Sequence, residues 1–191
     1  AAIGSLDLEP GDEVITSPWT MCASATSILQ WNAIPIFADI KKNDFTLDPV
    51  SVEKNITKKT KAIIAVHLYG YSADMKNIMK IAKKHKLFVI EDCAEALGTF
   101  YKGKHVGIDG DAATFSFFGN KTITTGEGGM FVTKNRDFYQ KAYLMKNHGM
   151  SKNRKYFHLM NGLNFRMTNL QAAIGLAQIE QIKEILSKKK K

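Results

Sequence analysis

Short apolar runs along the chain alternate with longer stretches in which apolar residues recur every three or four positions. The first pattern is that of buried strands, the second of helices with one face turned inward. Glu13-Val14-Ile15-Thr16 follows a Pro10-Gly11-Asp12 turn and predicts a strand. Residues 20–32 predict a helix that opens on small residues, Ala23, Ser24 and Ala25. Residues 34–38 predict a second strand, and Pro35 puts it at its beginning or at an edge, because proline donates no ladder hydrogen bond. The unbroken apolar run 62–66 predicts a strand covered on both faces. Residues 74–85 predict an amphipathic helix with Met75, Ile78, Met79 and Ala82 on one side and lysines between them. Strands over 87–90, 112–117 and 129–133 and helices over 136–146 and 168–187 complete the series. Strand and helix in alternation predict an α/β fold with a mostly parallel sheet and helices on both faces. In such sheets ligands sit outside the carboxyl ends of the strands, so the polar residues that follow each strand carry the functional question.

Composition narrows the class. The chain has 191 residues, 45% hydrophobic and 24% charged, which suits one globular domain with a real core. No apolar run reaches the roughly 18 residues of a membrane span, and the first residues lack the basic and apolar regions of a signal peptide. The formal net charge is +9, yet only Arg136, Arg154 and Arg166 of the 27 basic residues are arginine. Four lysines form the terminal run Lys188 to Lys191, and the others are scattered as on a solvated surface. Without an aromatic-plus-arginine motif, the charge predicts no nucleic-acid partner and suits small anions such as phosphates and nucleotides. Two cysteines, Cys22 and Cys93, predict reduced, buried thiols and a cytoplasmic location.

Two segments carry candidate chemistry. In Ile90-Glu91-Asp92-Cys93-Ala94-Glu95, an apolar strand ends in two carboxylates. A buried carboxylate without a partner is costly, and the protonated ring nitrogen of a cofactor is one partner. Capping of a following helix is the other reading, and both stand at this point. The second segment runs Thr114-Phe115-Ser116-Phe117-Phe118-Gly119-Asn120-Lys121, then hydroxyls and Gly126-Glu127-Gly128-Gly129. Lys121 is either a surface charge or a buried amine, and burial makes an amine a usable nucleophile for Schiff-base formation. Ser116 offers a hydroxyl to a phosphate, and the glycines permit close approach of backbone to ligand. Asp92, Glu95, His67 and His148 are of metal-ligand type, but no tight pair such as His-x-x-x-His joins them, so no metal centre is predicted.

Taken in order, these segments resemble the DegT/DnrJ/EryC1/StrS family of pyridoxal-phosphate (PLP) dependent sugar aminotransferases. Pro10 to Ile15, His67-Leu68-Tyr69-Gly70 with Ala73-Asp74-Met75, Asn147-His148-Gly149, Gly162 to Met167 and Gln171-Ala172-Ala173 add to the resemblance, which covers about residues 8–182. It implies the large domain of a fold type I aminotransferase. Lys121 is then the Schiff-base lysine and acid/base, and Asp92 the partner of the pyridinium nitrogen. Glu95 stands near the 3-hydroxyl, where many relatives have glutamine, and Ser116 binds the cofactor phosphate. Asn164 reaches the cofactor of a partner subunit in a homodimer. Arg166, His67 and Asn120 face the substrate. Trp19 or Met21 covers the cofactor ring, since Thr20-Met21 stands where relatives have threonine and an aromatic.

The resemblance further implies amino transfer from an amino acid, glutamate, to C4 of a nucleotide-linked 4-keto-6-deoxyhexose. A dehydratase of the same family is disfavoured because Lys121 is not histidine. A truncated homologue that binds a nucleotide-sugar or a partner chain without catalysis is the alternative from a different class. Relatives are expected to be about twice as long, with an N-terminal segment carrying a Gly-Thr turn for the cofactor phosphate and a small C-terminal domain. Residues 1–191 are accordingly expected to be an incomplete PLP-binding large domain.

Overall fold

The computed structural model describes residues 1–189, so Lys190 and Lys191 of the terminal lysine run lie outside the described residues. A six-stranded sheet is ordered β2-β1-β3-β4-β7-β8. Its strands are β1 (Glu13–Thr16), β2 (Ile34–Phe37), β3 (Thr60–Val66), β4 (Phe88–Asp92), β7 (Ala112–Ser116) and β8 (Gly129–Thr133). All neighbours are parallel except β7 and β8, which pair antiparallel. A two-stranded hairpin, β5 (Phe100–Tyr101) with β6 (Lys104–His105), stands apart. β2 is an edge strand, as Pro35 requires.

The helices are α1 (Ala23–Leu29), α2 (Pro49–Lys54), α3 (Met75–His85), α4 (Arg136–Lys146), α5 (Asn169–Glu180) and α6 (Ile182–Lys189). Side chains alternate across a strand, so each central strand feeds two cores. Val14, Ala62, Ile64, Val66, Ile90 and Ala112 face Ile28 of α1 and Phe138 of α4. Ile15, Ile63, Ala65 and Val89 face Val52 of α2 and Ile78 and Ala82 of α3. Each residue so buried contributes about 1.5–3 kcal/mol if it is a large aliphatic. Caps fix where the helices begin. Asp74 accepts from the Asn77 N–H, Asn135 from Asp137 and Phe138, and Thr168 forms a capping box with Gln171.

Several expectations need correction. The helix expected over 20–32 is confined to Ala23–Leu29. Residues 18–22 instead form the loop that carries the chain off the end of β1. The helix expected over 168–187 is two helices broken at Gln181. α2 and the β5–β6 hairpin were not anticipated. β4 runs through both acids to Asp92 rather than stopping at Ile90. Cys22 is exposed and only Cys93 is buried, because Cys22 precedes the first turn of α1, outside the core. Among the described residues no helix is long and apolar enough to cross a membrane.

Candidate active site

Trp19, Met21, His67, Asp92, Glu95, Ser116, Asn120 and Lys121 follow or end β1, β3, β4 and β7 at their carboxyl ends, where a parallel sheet leaves its crevice. Register aligns those ends: Val66 lies opposite Asp92, and Asp92 opposite Thr114. Alternation along β4 then sends its two acids to opposite faces.

Asp92 follows Ile90 onto the α1 side. Its Oδ2 accepts from the Ser24 hydroxyl at 3.1 Å, and Ser24 in turn contacts the Thr20 hydroxyl at 3.1 Å. Its Oδ1 accepts from the Ala94 N–H at 3.1 Å. No helix follows β4 directly, so the helix-cap reading fails, although Asp92 does cap the turn that begins there.

Glu91 follows Val89 onto the other face and is fully buried. Four N–H donors enclose it. Oε2 accepts from His67 Nε2 at 2.8 Å and from Gly107 at 2.7 Å. Oε1 accepts from Asp109 at 2.9 Å and Gly110 at 2.7 Å. Burial pushes this carboxyl up, but the bonds from His67, Gly110 and Gly107 outweigh it and hold the group below the ordinary glutamate value.

His67 is also fully buried, and its other ring nitrogen, Nδ1, accepts from the Ala73 N–H at 3.0 Å. The expectation that His67 touches substrate is therefore corrected: both nitrogens are occupied and no ring atom reaches the crevice. His67, Glu91 and Cys93 do bring ligand-type atoms within 4.8 Å of one another. The His67 and Glu91 atoms are already committed to the hydrogen bonds just given. Burial, then the Glu91 and Asp92 charges, pushes the Cys93 thiol well up, away from the thiolate a metal requires.

Lys121 lies in the loop between β7 and β8. The loop is closed by the Phe117 N–H to the Gly128 carbonyl at 2.9 Å and the Thr125 N–H to the Phe117 carbonyl at 2.9 Å. The Lys121 side chain is 18% exposed, and its Nζ lies 3.7 Å from Glu95 Oε1. The Tyr69 N–H holds the other oxygen of Glu95 at 2.9 Å. Ala94, Glu95, Asn120, Lys121, Thr122 and Lys189 line a small cavity of about 180 Å³. The Lys121 amine is thus neither a free surface charge nor a sealed group. It faces a cavity that it shares with Ala94 and Glu95, which belong to the turn following Asp92.

Ser116 ends β7, and its oxygen accepts from the Phe118 N–H at 3.3 Å. That leaves its proton available. Trp19 is half exposed, with its ring centroid 6.4 Å from that of Phe45, and Met21 is 68% exposed. Neither is committed to the core.

Asn164 and Arg166 form a separate exposed group: Arg166 Nε donates to Asn164 Oδ1 at 3.0 Å, and Arg166 Nη2 lies 3.3 Å from His148 Nε2. Ser24, Thr20 and the Tyr69 amide were not picked out from the sequence. Ser24 had a signal, because a hydroxyl in the first turn after a strand lies at the ligand end of a parallel sheet. The Tyr69 amide had none.

The geometry agrees with what the chain is similar to. It matches the DegT/DnrJ/EryC1/StrS aminotransferase family over residues 1–191. GDP-perosamine synthase of Escherichia coli O157:H7 is 50% identical over 189 residues, which are 99% of this chain and 52% of that protein. The X-ray structure of the aminotransferase from Psychrobacter cryohalolentis superposes with a TM-score of 0.90 at 39% identity, covering 96% of this chain and 49% of that one. NtdA from Bacillus subtilis with bound cofactor PMP superposes with a TM-score of 0.86 at 38% identity, covering 95% of this chain and 42% of that one. The chain spans about half the length of the curated relatives it matches. With that family-wide match and the lysine, the strand-end aspartate and the serine gathered at one end of the sheet, this chain belongs to the DegT/DnrJ/EryC1/StrS aminotransferase family.

Proposed function

We propose that this chain is the cofactor-binding part of a pyridoxal-phosphate-dependent aminotransferase. Its substrates are glutamate as amino donor and a nucleotide-linked 4-keto-6-deoxyhexose, aminated at C4. The observation that carries the reading is the Lys121 amine, largely buried at a cavity beside the Asp92 turn. The similarity to GDP-perosamine synthases supports the substrate class.

The residues present fit the cofactor by their chemistry. Lys121 offers an amine, Asp92 a carboxylate with lone pairs left over from Ser24 and Ala94, and Ser116 a hydroxyl proton for a phosphate. Asn120 lines the same cavity and is exposed. Trp19 or Met21 covers the ring.

Bound pyridoxal phosphate supplies an electron sink for charge developing at the carbon that gains or loses the amino group. Asp92 holds a proton on the ring nitrogen by offering it a negative partner. Lys121 Nζ moves a proton to and from the reacting carbon, and Glu95 keeps that amine aimed when no substrate is present. Arg166 meets the substrate's phosphates. Asn164 serves the site of a second copy in a homodimer. A cytoplasmic setting suits a nucleotide-linked substrate.

The test uses the complete gene product. It is mixed with the cofactor, reduced with borohydride and digested, and the pyridoxyl group is located by mass spectrometry. The label is expected on Lys121. Lys121→Ala is expected to lower amino transfer to the keto-sugar by at least about a thousandfold, as loss of a positioned acid/base does. Label elsewhere, or undiminished transfer by the variant, overturns the assignment.

A further inference from the structure

His67 and Glu91 are the largest polar side chains in the core, and the chemistry above uses neither of them. Burying such a pair costs free energy unless every atom is met, and two aliphatic residues of similar volume usually serve packing as well or better. What an aliphatic pair cannot supply is direction. Here the directions are specific. The main-chain N–H of residue 67, which any residue but proline would offer, donates to the Asp92 carbonyl at 3.0 Å, and the directions special to this side chain are those of its ring. Its Nδ1 accepts from the Ala73 N–H, so the ring proton is on Nε2, which points at Glu91. Glu91 in turn gathers the amides of Gly107, Asp109 and Gly110.

The Ala73 bond closes the loop 67–73 on itself. Within that loop Tyr69 has φ +53°, a left-handed conformation that a bulky residue adopts only where its surroundings enforce it. Tyr69 is itself exposed, so packing of its ring does not enforce it. Two ties do: the His67 ring joins the loop's ends through Ala73, and the Thr99 hydroxyl holds its middle at the Gly70 carbonyl at 2.9 Å. This conformation aims the Tyr69 N–H at Glu95, whose other oxygen faces Lys121 Nζ.

We propose that His67 is a positioning residue: with its tautomer fixed by Glu91, its Nδ1 holds the Ala73 N–H and so sets the loop 67–73, the Tyr69 amide then holds Glu95, and Glu95 aims the amine of Lys121. The inference rests on the aminotransferase reading only for its consequence at Lys121. Its structural half, the placing of Tyr69, is independent of it.

Two substitutions separate the two ring contacts of His67 in the complete gene product. A glutamine amide nitrogen reaches the place of Nε2, and an asparagine amide oxygen the place of Nδ1. His67→Gln keeps the tie to Glu91 and releases Ala73. His67→Asn keeps Ala73 and releases Glu91. The readouts are amide hydrogen exchange at Tyr69, taken without cofactor, and the dissociation constant of pyridoxal phosphate. His67→Gln is expected to speed Tyr69 exchange and weaken the cofactor by about tenfold each, the usual scale for loss of an outer positioning contact. His67→Asn is expected to stay within about threefold of the parent on both.

A residue that serves packing alone lowers the thermal midpoint in both variants and leaves the two readouts alike. Equal change in both variants, or change in neither, overturns the proposal. Should neither variant fold, Thr99→Val cuts the loop's other tie near-isosterically. It is then expected to speed Tyr69 exchange by about threefold, roughly one hydrogen bond's worth, and no change overturns the proposal. If the unsubstituted protein takes no borohydride-fixed cofactor at Lys121, the aminotransferase reading fails, and the Tyr69 exchange still decides this one.

Discussion

Glu91 and Asp92 are adjacent acids on one strand, and the sheet treats them in opposite ways. On one face Glu91 meets four N–H donors and no solvent. On the other, Asp92 meets one hydroxyl and one amide and keeps capacity for a further partner. A saturated carboxylate holds structure together, whereas one left short of donors is able to bind something. Period-two alternation separates the two roles by a single residue.

The contrast is broken most severely from the buried side. Glu91→Ala leaves four donors without an acceptor and is expected to cost about 3–5 kcal/mol of unfolding free energy, measured by urea denaturation. The same enclosure makes acid the natural denaturant. Because the folded carboxyl lies below the ordinary value of 4.5, its stabilisation is complete above that value and fades as pH falls toward the folded one. Acid titration of the parent is expected to show this loss, and Glu91→Gln to lack it.

On the open side, Asp92→Asn is expected to lower amino transfer by about 10²–10³-fold, the scale of losing one electrostatic partner at a reacting centre. The urea midpoint should stay where it is. A large fall in stability there would erase the distinction between the two acids. Next in size is Gly110→Ala. An added Cβ meets the Val89 carbonyl oxygen at 2.8 Å and Glu91 Oε1 at 3.3 Å, which is expected to cost about 1–3 kcal/mol in the same denaturation assay. The smallest change is Ser24→Ala, which removes one of the two bonds to Asp92 and is expected to cost about 1 kcal/mol. It sharpens the comparison if the loss appears in cofactor binding, read by titration, rather than in folding.

The strands, their order of burial and the strand-end acids were legible in the sequence because each is a local pattern. The run Leu87 to Ile90 and the switch to two carboxylates mark the candidate site in the sequence itself. What each acid does was not legible. The donors that saturate Glu91 come from Gly107, Asp109 and Gly110, and from His67 on another strand, so only the folded chain brings them together.

Two omissions had signals. Asp48-Pro49 is a helix start, with aspartate as cap and proline in the first turn, and it opens α2. Lys102-Gly103, both with positive φ, is the two-residue turn of the β5–β6 hairpin. The break at Gln181 had none, since neither glycine nor proline marks it. His67 misled because a histidine at the ligand end of a strand looks the same in sequence whether its ring turns outward or inward.

The loop that carries Lys121 has a mechanical consequence. Its two feet stand on antiparallel neighbours, β7 and β8, and are laced together at Phe117, Thr125 and Gly128. Those ties hold the feet of the arch together, and beyond them the amine hangs on a tether of methylenes long enough to reach Glu95 on the turn after a different strand.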